Sequence, residues 1–326
     1  MRTFALVYNL TCGVNGRAYE RLNRIRRAFH ARGVDLHPYC TSSATTSSAV
    51  VQAAVASGCE AILSAGGDGT FNSLLQATIE NGVNLPIGIL PFGSGNVLAQ
   101  ELGLKGDPSL VAEKLITARA TKMPVGVLTT RIADGKTFRR YFNVAAGIGA
   151  DARVICGVNP AWKRRFGITA YYVEATRQLL SLSNPLPLFR VRFTDSSSGE
   201  NRDEHVSQVI AERVGYFSSP LRRRNGTDPL LCDRLRLILF KTQQRSAYIR
   251  YGLHLLARGL QLPAIPGIEV SHAKAASCEL LPGYPDVLTE VDGEFAGELP
   301  AEVTIIPDAL AMLLPRRPGT TVHNTV

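Results

Sequence analysis

Two apolar runs in the first third of the chain each stop at a glycine-rich turn, and a helical segment follows each turn. Residues 61–65 run into Gly-Gly-Asp-Gly-Thr at 66–70, and residues 87–90 run into Pro-Phe-Gly-Ser-Gly-Asn at 91–96. Glycines at strand ends let backbone N–H groups approach an anion, and the N-terminus of the following helix adds a favourable dipole. The two turns together predict a nucleotide site. Asp68 would repel a phosphate, so we expect it to hold Mg²⁺ or its bound water.

Apolar strands and helical segments alternate through the first 122 residues. Strands are predicted over 4–9, 34–40, 61–65 and 87–91, with helices between them. Nearly continuous apolar strands that alternate with helices predict a parallel sheet covered on both faces, which is a three-layer α/β domain. Ligands of such sheets bind at the carboxyl ends of the strands, which is where the glycine turns fall.

The rest of the chain has a different pattern. Strand-like runs, from 125–132 through 205–213 to 302–306, follow one another with polar turns between them. Helices are predicted only near 166–183 and 245–260. Consecutive strands favour an antiparallel, sandwich-like β-rich domain, and 326 residues exceed the usual size of one core. We therefore predict a nucleotide-binding domain over 1–122, a larger β-rich domain over 123–314 and a disordered tail over 315–326.

The formal charge of +9 favours anionic partners. The most basic triplets are Lys163-Arg164-Arg165 and Arg222-Arg223-Arg224, and together with the overall excess they favour docking on an anionic membrane surface. Nucleic acid is not expected to be a partner, because the basic clusters lack interleaved aromatic residues and no nucleic-acid-binding module is recognisable.

The cysteines and the hydropathy pattern indicate a compartment. Six cysteines are scattered without a Cys-x-x-Cys pair, which is typical of reduced thiols in a cytosolic protein. No window of the sequence approaches the 18 or so uninterrupted apolar residues of a spanning helix. We expect a cytoplasmic protein that associates peripherally with the inner face of the membrane.

A series of motifs in fixed order resembles the diacylglycerol kinase catalytic domain family, which includes bacterial lipid kinases and eukaryotic sphingosine and ceramide kinases. The motifs are FALVYNLTCG at 4–13, GGDGTFN at 66–72 with PFGSGNVLAQELGL at 91–104, FNVAAGIGADA at 142–152, KRRFGITAYYVEA at 163–175 and VDGE at 291–294. The resemblance covers most of the chain. It implies an ATP-binding α/β domain and a β-rich domain, with the active site in the cleft between them.

The resemblance also implies which residues contact ATP. They are Asn9, Gly13, Thr41, Gly66, Gly67, Asp68, Gly69, Thr70, Asn72, Ser94 and Asn96. For Thr41 a helix-capping role competes, because several serines and threonines follow it before the next helix.

The family position for the general base is Glu294, since a carboxylate within hydrogen-bond reach can take the proton of the acceptor hydroxyl. Asp292-Gly293 before it is also a typical hairpin turn, which would make Glu294 a surface residue. Asp68 is the competing base, and the sequence does not separate the two.

Several positions depart from the family pattern. Val97 and Ser73 replace an aspartate and a glutamate, and Pro124 stands near a customary aspartate of the metal network. In the loop that holds a structural Mg²⁺ in some bacterial members, Asp233 is the only carboxylate. Asp68 and Asp233 are therefore the candidate metal ligands, with the Asp233 site in question.

We accordingly predict an ATP- and Mg²⁺-dependent lipid kinase that phosphorylates a hydroxyl of diacylglycerol, a sphingoid base or a related lipid at a membrane surface. Two alternatives stay open: an NAD kinase-like enzyme, and a nucleotide- or lipid-binding regulator with impaired catalysis. A homodimer is also compatible with the sequence.

Overall fold

The fold is described from a computed structural model. It describes residues 2–9, 16–41, 44–93, 95–131, 136–159, 162, 168–180, 186–214, 229–256 and 264–315. The chain divides into two compact units, one formed by residues up to Met123 together with the chain from Asp308 onward, and one formed by Pro124–Pro307. The predicted tail lies, beyond Pro315, outside the described residues.

The first unit is a parallel α/β sheet, as the sequence predicts. Its elements are β1 (Arg2–Tyr8), α1 (Gly16–His30), β2 (Val34–Cys40), α2 (Ala44–Ala56), β3 (Ala61–Gly66), α3 (Asp68–Glu80), β4 (Ile87–Pro91), α4 (Val97–Glu101) and α5 (Pro108–Ile116). The strands run parallel in the order β2-β1-β3-β4. Because α1 packs with α5 and α2 with α3, and crossovers are right-handed, the helices cover both faces.

Burial explains why these strands form. Every residue of β3 and β4 is buried, which is expected of strands covered on both faces. On β1, the ring of Phe4 meets the ring of Phe29 of α1 edge to face, with centroids 6.0 Å apart, which is a favourable aromatic geometry. The chain order of the strands changes direction between β1 and β3, so the topological switch point lies there.

The second unit is rich in antiparallel strands. Its elements are β5 (Arg119–Arg131), β6 (Thr137–Phe142), β7 (Ala145–Gly149), α6 (Ala150–Gly157), α7 (Ile168–Leu180), β8 (Phe189–Thr194), β9 (Asn201–Val206), β10 (Gln208–Glu212), a 3₁₀ turn (Pro229–Leu231), β11 (Leu235–Phe240), α8 (Arg245–Leu256), β12 (Ile268–Ala273), β13 (Ala275–Leu280), β14 (Leu288–Val291) and β15 (Glu294–Leu314). Its main path is β12-β11-β10-β7-β14-β15, and β8, β9 and β13 form a second antiparallel group. One face packs a core that includes Phe142, Phe189 and Leu237.

The α/β fold class is confirmed, with differences inside the second unit. The strand predicted over 205–213 is broken at Ser207, whose N–H and hydroxyl both bond the carbonyl oxygen of Phe240. Helix α6 was not predicted, because it starts directly after Gly149, which has a φ of 106° and reads in sequence as a turn. β15 is 21 residues long. Its C-terminal end pairs in parallel with β4, and the residues from Asp308 onward therefore belong to the first unit.

Candidate functional site

The predicted nucleotide-binding residues of the first unit follow the carboxyl ends of neighbouring parallel strands. Asn9 follows β1, Thr41 follows β2, Gly66 ends β3, and the second glycine loop begins at the end of β4. In a parallel sheet these ends share one edge. The topology therefore brings together residues that the sequence separates by more than 80 positions. Gly13 and Ser94 lie outside the described residues.

The two glycine loops touch through their backbones. A Cβ atom added to Gly93 would lie 2.5 Å from the Cα of Gly67, and one added to Gly67 would lie 3.3 Å from the Cα of Gly93. The N–H groups of Phe92 and Gly93 both donate to the carbonyl oxygen of Gly66, at 2.9 and 3.2 Å. No side chain fits between loops at this separation, so the contact requires glycine.

The carboxyl group of Asp68 connects the first loop to the second. Backbone N–H groups of Asn96, Val97 and Leu98 donate to it at the start of α4, and its Oδ2 atom lies 2.9 Å from the position that a Cβ of Gly95 would take. Burial raises the pKa of Asp68, and these N–H donors partly oppose that rise. Asp68 therefore holds the second loop in place, a role that the sequence analysis did not foresee.

Several predicted binding side chains are used inside the fold. Asn96 has a φ of 48°, its Oδ1 accepts from Gly93 N–H at 3.0 Å, and its Nδ2 donates to the Gly93 carbonyl. Asn72 is buried and accepts from Nε2 of Gln76 at 3.1 Å. Thr70 is buried, with its hydroxyl 2.3 Å from where a Gly66 Cβ would be. The loops thus present mainly backbone groups to a ligand, including those of the exposed residue Gly69.

Thr41 is likewise buried, and its hydroxyl lies 3.0 Å from Oγ1 of Thr46 and 2.9 Å from Oγ of Ser47, both on α2. These contacts place the Thr41 hydroxyl against side-chain hydroxyl groups of α2. Its backbone N–H donates to the Tyr8 carbonyl at 3.0 Å, which ties the end of β2 to the end of β1. Asn9, next to Tyr8, is half-buried at the same edge.

A second polar constellation surrounds the turn between β14 and β15 in the second unit. Asp292 and Gly293 have φ values of 49° and 85°, and Val291 pairs with Glu294, so the turn is a two-residue hairpin of the type that asparagine or aspartate followed by glycine favours. The Asp292 carboxylate accepts from the N–H groups of Val144 at 3.1 Å and Ala145 at 3.0 Å. The hairpin is thereby fixed to the start of β7.

Glu294 stands at the first position of β15 with 48% of its side chain exposed, and its Oε2 atom is 2.7 Å from Nη2 of Arg140 on β6. The guanidinium of Arg140 is only 21% exposed, so the pair has a defined geometry. The hairpin alternative and the base role are compatible here, because the turn presents the carboxylate while the ion pair orients it. Sequence reasoning missed Arg140; the only signal was its membership in the Arg139-Arg140 pair.

Two more carboxyl groups lie beneath this hairpin. Glu290 of β14 is buried, and its Oε2 accepts from Gly293 N–H at 2.8 Å. Asp151, in the first turn of α6, is half-buried. Burial raises the pKa of Asp151 to about 6 and, with the nearby Asp151 charge, raises that of Glu290 well above its ordinary value. Asp151 belongs to the motif at 142–152, but Glu290 carried no sequence signal.

Asp233 is in a different environment. Its carboxylate, 54% exposed, forms a 2.9 Å ion pair with Lys274, which lowers the pKa of Asp233. The described residues contain no group of three or more His, Cys, Asp and Glu side chains that could hold a metal ion. The same loop is instead bound by Arg213, whose guanidinium donates to the carbonyl oxygens of Leu230 at 2.7 Å and Cys232 at 2.7 Å.

Arg213 also donates to the carbonyl oxygen of Pro124, at 2.8 Å, and is only 2% exposed. The buried guanidinium of Arg213 thus already lies among the carbonyl oxygens of this loop. The described residues of this loop consequently do not fit a structural Mg²⁺, which prefers several oxygen ligands that include carboxylates.

The chain is similar to known proteins. Residues 3–128 match the model of the diacylglycerol kinase catalytic domain. A diacylglycerol kinase of Mycobacterium tuberculosis is 28% identical over 294 residues, covering 87% of this chain and 86% of the relative. A diacylglycerol kinase of Staphylococcus carnosus is 23% identical over 318 residues, covering 95% and 94%. The crystal structure of a diacylglycerol kinase from Bacillus anthracis str. Sterne has the same fold, with a TM-score of 0.65, 16% identity and 98% coverage of both chains.

These relatives support a kinase. Residues 3–128 match the diacylglycerol kinase catalytic domain, and similar proteins that cover most of the chain are diacylglycerol kinases, in agreement with the resemblance that the motifs carry.

Proposed function

We propose that the protein is an ATP- and Mg²⁺-dependent lipid kinase, which transfers the γ-phosphoryl group of ATP to a hydroxyl of diacylglycerol, a sphingoid base or a related lipid. The observation that carries the proposal is the backbone contact between Gly67 and Gly93 at the carboxyl edge of the parallel sheet. Phosphoryl transfer depends on positioning and on electrostatic stabilisation, and a cradle of backbone N–H groups next to a helix N-terminus suits phosphates.

In this proposal the first unit holds the nucleotide. Residues 66–70 and 91–96 would surround the phosphates, and Asn9 lies at the switch point where ligands of such sheets bind. Mg²⁺ would neutralise phosphate charge when bound. The half-buried carboxylate of Asp68 fits that ion through a bridging water better than directly, since its oxygens already accept backbone N–H groups.

Glu294 is the better candidate for the general base. Its carboxylate is exposed, stands on a rigid hairpin and is oriented by Arg140, whereas the carboxylate of Asp68 is engaged by three backbone N–H groups. A base must come within hydrogen-bond reach of the acceptor hydroxyl, which favours the accessible group.

The lipid is proposed to be reached at an anionic membrane surface. In the described part of the chain, no helix is long and apolar enough to cross a bilayer. The two basic triplets, 163–165 and 222–224, lie outside the described residues, so their role rests on sequence and charge alone. A water-insoluble acceptor requires contact with the bilayer, and basic residues near an anionic surface attract it.

The test is ATP labelled in the γ-phosphate, incubated with Mg²⁺ and a panel of acceptors presented in anionic vesicles: diacylglycerol, sphingosine and ceramide, with NAD in solution as a separate acceptor. We expect label in the lipid fraction with at least one lipid and none in NAD. Label in the NAD product would support the NAD kinase alternative. ATP binding without transfer to any acceptor would support a regulator.

A further inference from the structure

Two carboxyl groups face one another across Gly147 under the hairpin that carries Glu294. Gly147 of β7 pairs with Glu290 of β14, and α6 places Asp151 over the same strand. A Cβ atom added to Gly147 would lie 2.7 Å from Oδ2 of Asp151 and 2.7 Å from Oε1 of Glu290. The two oxygens are therefore separated by at most twice that distance, and a side chain at position 147 would collide with both.

The surroundings of this pair offset a double negative charge mainly through the backbone N–H groups of Gly147 and Gly293, which donate to Glu290. Neither Asp151 nor Glu290 forms an ion pair within the residues that the structure describes. The titratable groups that interact with them are Asp292 in the hairpin, Cys156 on α6, and Tyr248 and Tyr251 on α8. Glu212 on β10, which acts on Tyr251, is paired with Arg236 of β11 at 3.2 Å. Most of these groups are neutral or acidic.

Close, poorly compensated carboxyl groups cannot both be ionised without a large penalty, so such pairs retain a proton. The directions of the shifts agree, because burial raises the pKa of both groups and the Asp151 charge further raises that of Glu290. The two oxygens of Glu290 have different partners. Oε1 faces Asp151, whereas Oε2 accepts from Gly293 N–H at 2.8 Å, directly before Glu294.

We propose that Asp151 and Glu290 share one proton and act as a positioning pair for the Glu294 hairpin. The shared proton joins Oε1 of Glu290 to Asp151 and leaves Oε2 free to hold the N–H of Gly293. Loss of that proton puts two like charges beside each other, pushes the carboxyl groups apart and moves the hairpin. The role assigned to Glu294 rests on the proposed function, but the shared proton does not.

The proton can be tested without activity, through the pH dependence of stability. A carboxyl group whose pKa is raised on folding adds stability that is fully present below its ordinary pKa, near 4, and is lost as pH rises through its folded pKa. The pair loses its first proton at about 6, the pKa of Asp151, and its remaining, shared proton at the higher pKa of Glu290. Asp151→Asn replaces the shared proton with a permanent N–H donor. Relative to the wild type, its Tm should therefore rise between pH 4 and pH 8.

Activity tests the positioning role. In the wild type, kcat for lipid should fall on the alkaline side as the pair loses its proton, while KM for ATP stays constant. Asp151→Asn should reduce this alkaline decrease in kcat by at least about 3-fold at pH 9. Glu290→Gln, which keeps both a donor and an acceptor, should do the same. Glu290→Ala, which removes the acceptor for Gly293, should lower kcat at every pH by about 10-fold or more.

If the difference in Tm between the wild type and the variants Asp151→Asn and Glu290→Gln stays constant from pH 4 to 8, the two carboxyl groups do not share a proton. A shifted Tm profile with an unchanged alkaline limb of kcat would overturn the positioning role. If the wild type phosphorylates no lipid, the proposed function fails, and the stability experiment still decides the proton.

Discussion

The two candidate sites of the molecule are built from different materials. In the first unit the site is made mainly of backbone, supplied by two short stretches at 66–70 and 91–96, in which Thr70 is buried and Asn96 bonds Gly93. In the second unit it is made of side chains, Arg140, Glu290, Asp292 and Glu294, which come from β6, β14 and the hairpin. The backbone site therefore leaves no room for added atoms between Gly67 and Gly93, whereas the side-chain site depends on charge and orientation.

The largest expected effect is on the side-chain site. Glu294→Gln keeps the shape of the side chain but removes the proton acceptor, so kcat for lipid phosphorylation should fall by roughly 10²–10⁴-fold. Steady-state kinetics at saturating ATP would measure it. Glu298→Gln is the matched control, because Glu298 is an exposed carboxylate on the same strand, and its kcat should stay within about 2-fold of the wild type. A normal kcat for Glu294→Gln would remove Glu294 from the mechanism.

The backbone site is broken by a single methyl group. Gly93→Ala would place a Cβ 2.5 Å from the Cα of Gly67, so the loops must separate, and kcat/KM for ATP should fall by about 10²-fold. The control is Gly252→Ala, since a Cβ at that helical position meets nothing within 4 Å. It should leave kinetics unchanged and stabilise the fold by roughly 0.5–1 kcal/mol. Wild-type ATP kinetics in Gly93→Ala would show that the loop contact is dispensable.

A third prediction concerns the buried cation near Asp233. Arg213→Met leaves the carbonyl oxygens of Pro124, Leu230 and Cys232 without their donor, so we expect a loss of about 3 kcal/mol or more in the free energy of unfolding. Lys274→Ala, which breaks only an exposed ion pair, should cost less than about 1 kcal/mol. EDTA should not change the wild-type Tm. A large decrease in Tm on chelation would show that a structural metal ion is bound.

The smallest effect is expected outside both sites. Replacing the triplets at 163–165 and 222–224 with glutamine should weaken binding to anionic vesicles at least about 10-fold in a sedimentation assay, with ATP affinity unchanged. Binding of the wild type should also fall as salt rises to about 0.5 M, where the Debye length is roughly 4 Å. Equal binding to neutral and anionic vesicles would leave the charge as a solubility feature.

The same contrast explains what the sequence could predict. The glycine loops are contiguous, and their spacing after apolar strands is sufficient to place them at the edge of a parallel sheet. The orientation of Asn96, Thr41 and Asp68 was not predictable, because it depends on which backbone groups need partners after the loops have packed. The contact of Arg140 with Glu294 joins residues 154 positions apart, and the pairing of β6, β7 and β14 that permits it is a tertiary property.

The most direct test of the account is the ATP dissociation constant of Asp68→Asn and Glu294→Gln, measured side by side by calorimetry with Mg²⁺. Asp68 holds the second glycine loop through three backbone N–H groups, so Asp68→Asn should weaken ATP binding by about 10-fold or more. Glu294→Gln should leave the constant within about 2-fold of the wild type while transfer is lost. The reverse result, with normal ATP binding and no transfer in Asp68→Asn and active transfer in Glu294→Gln, would make Asp68 the base and contradict the division of roles between the two sites.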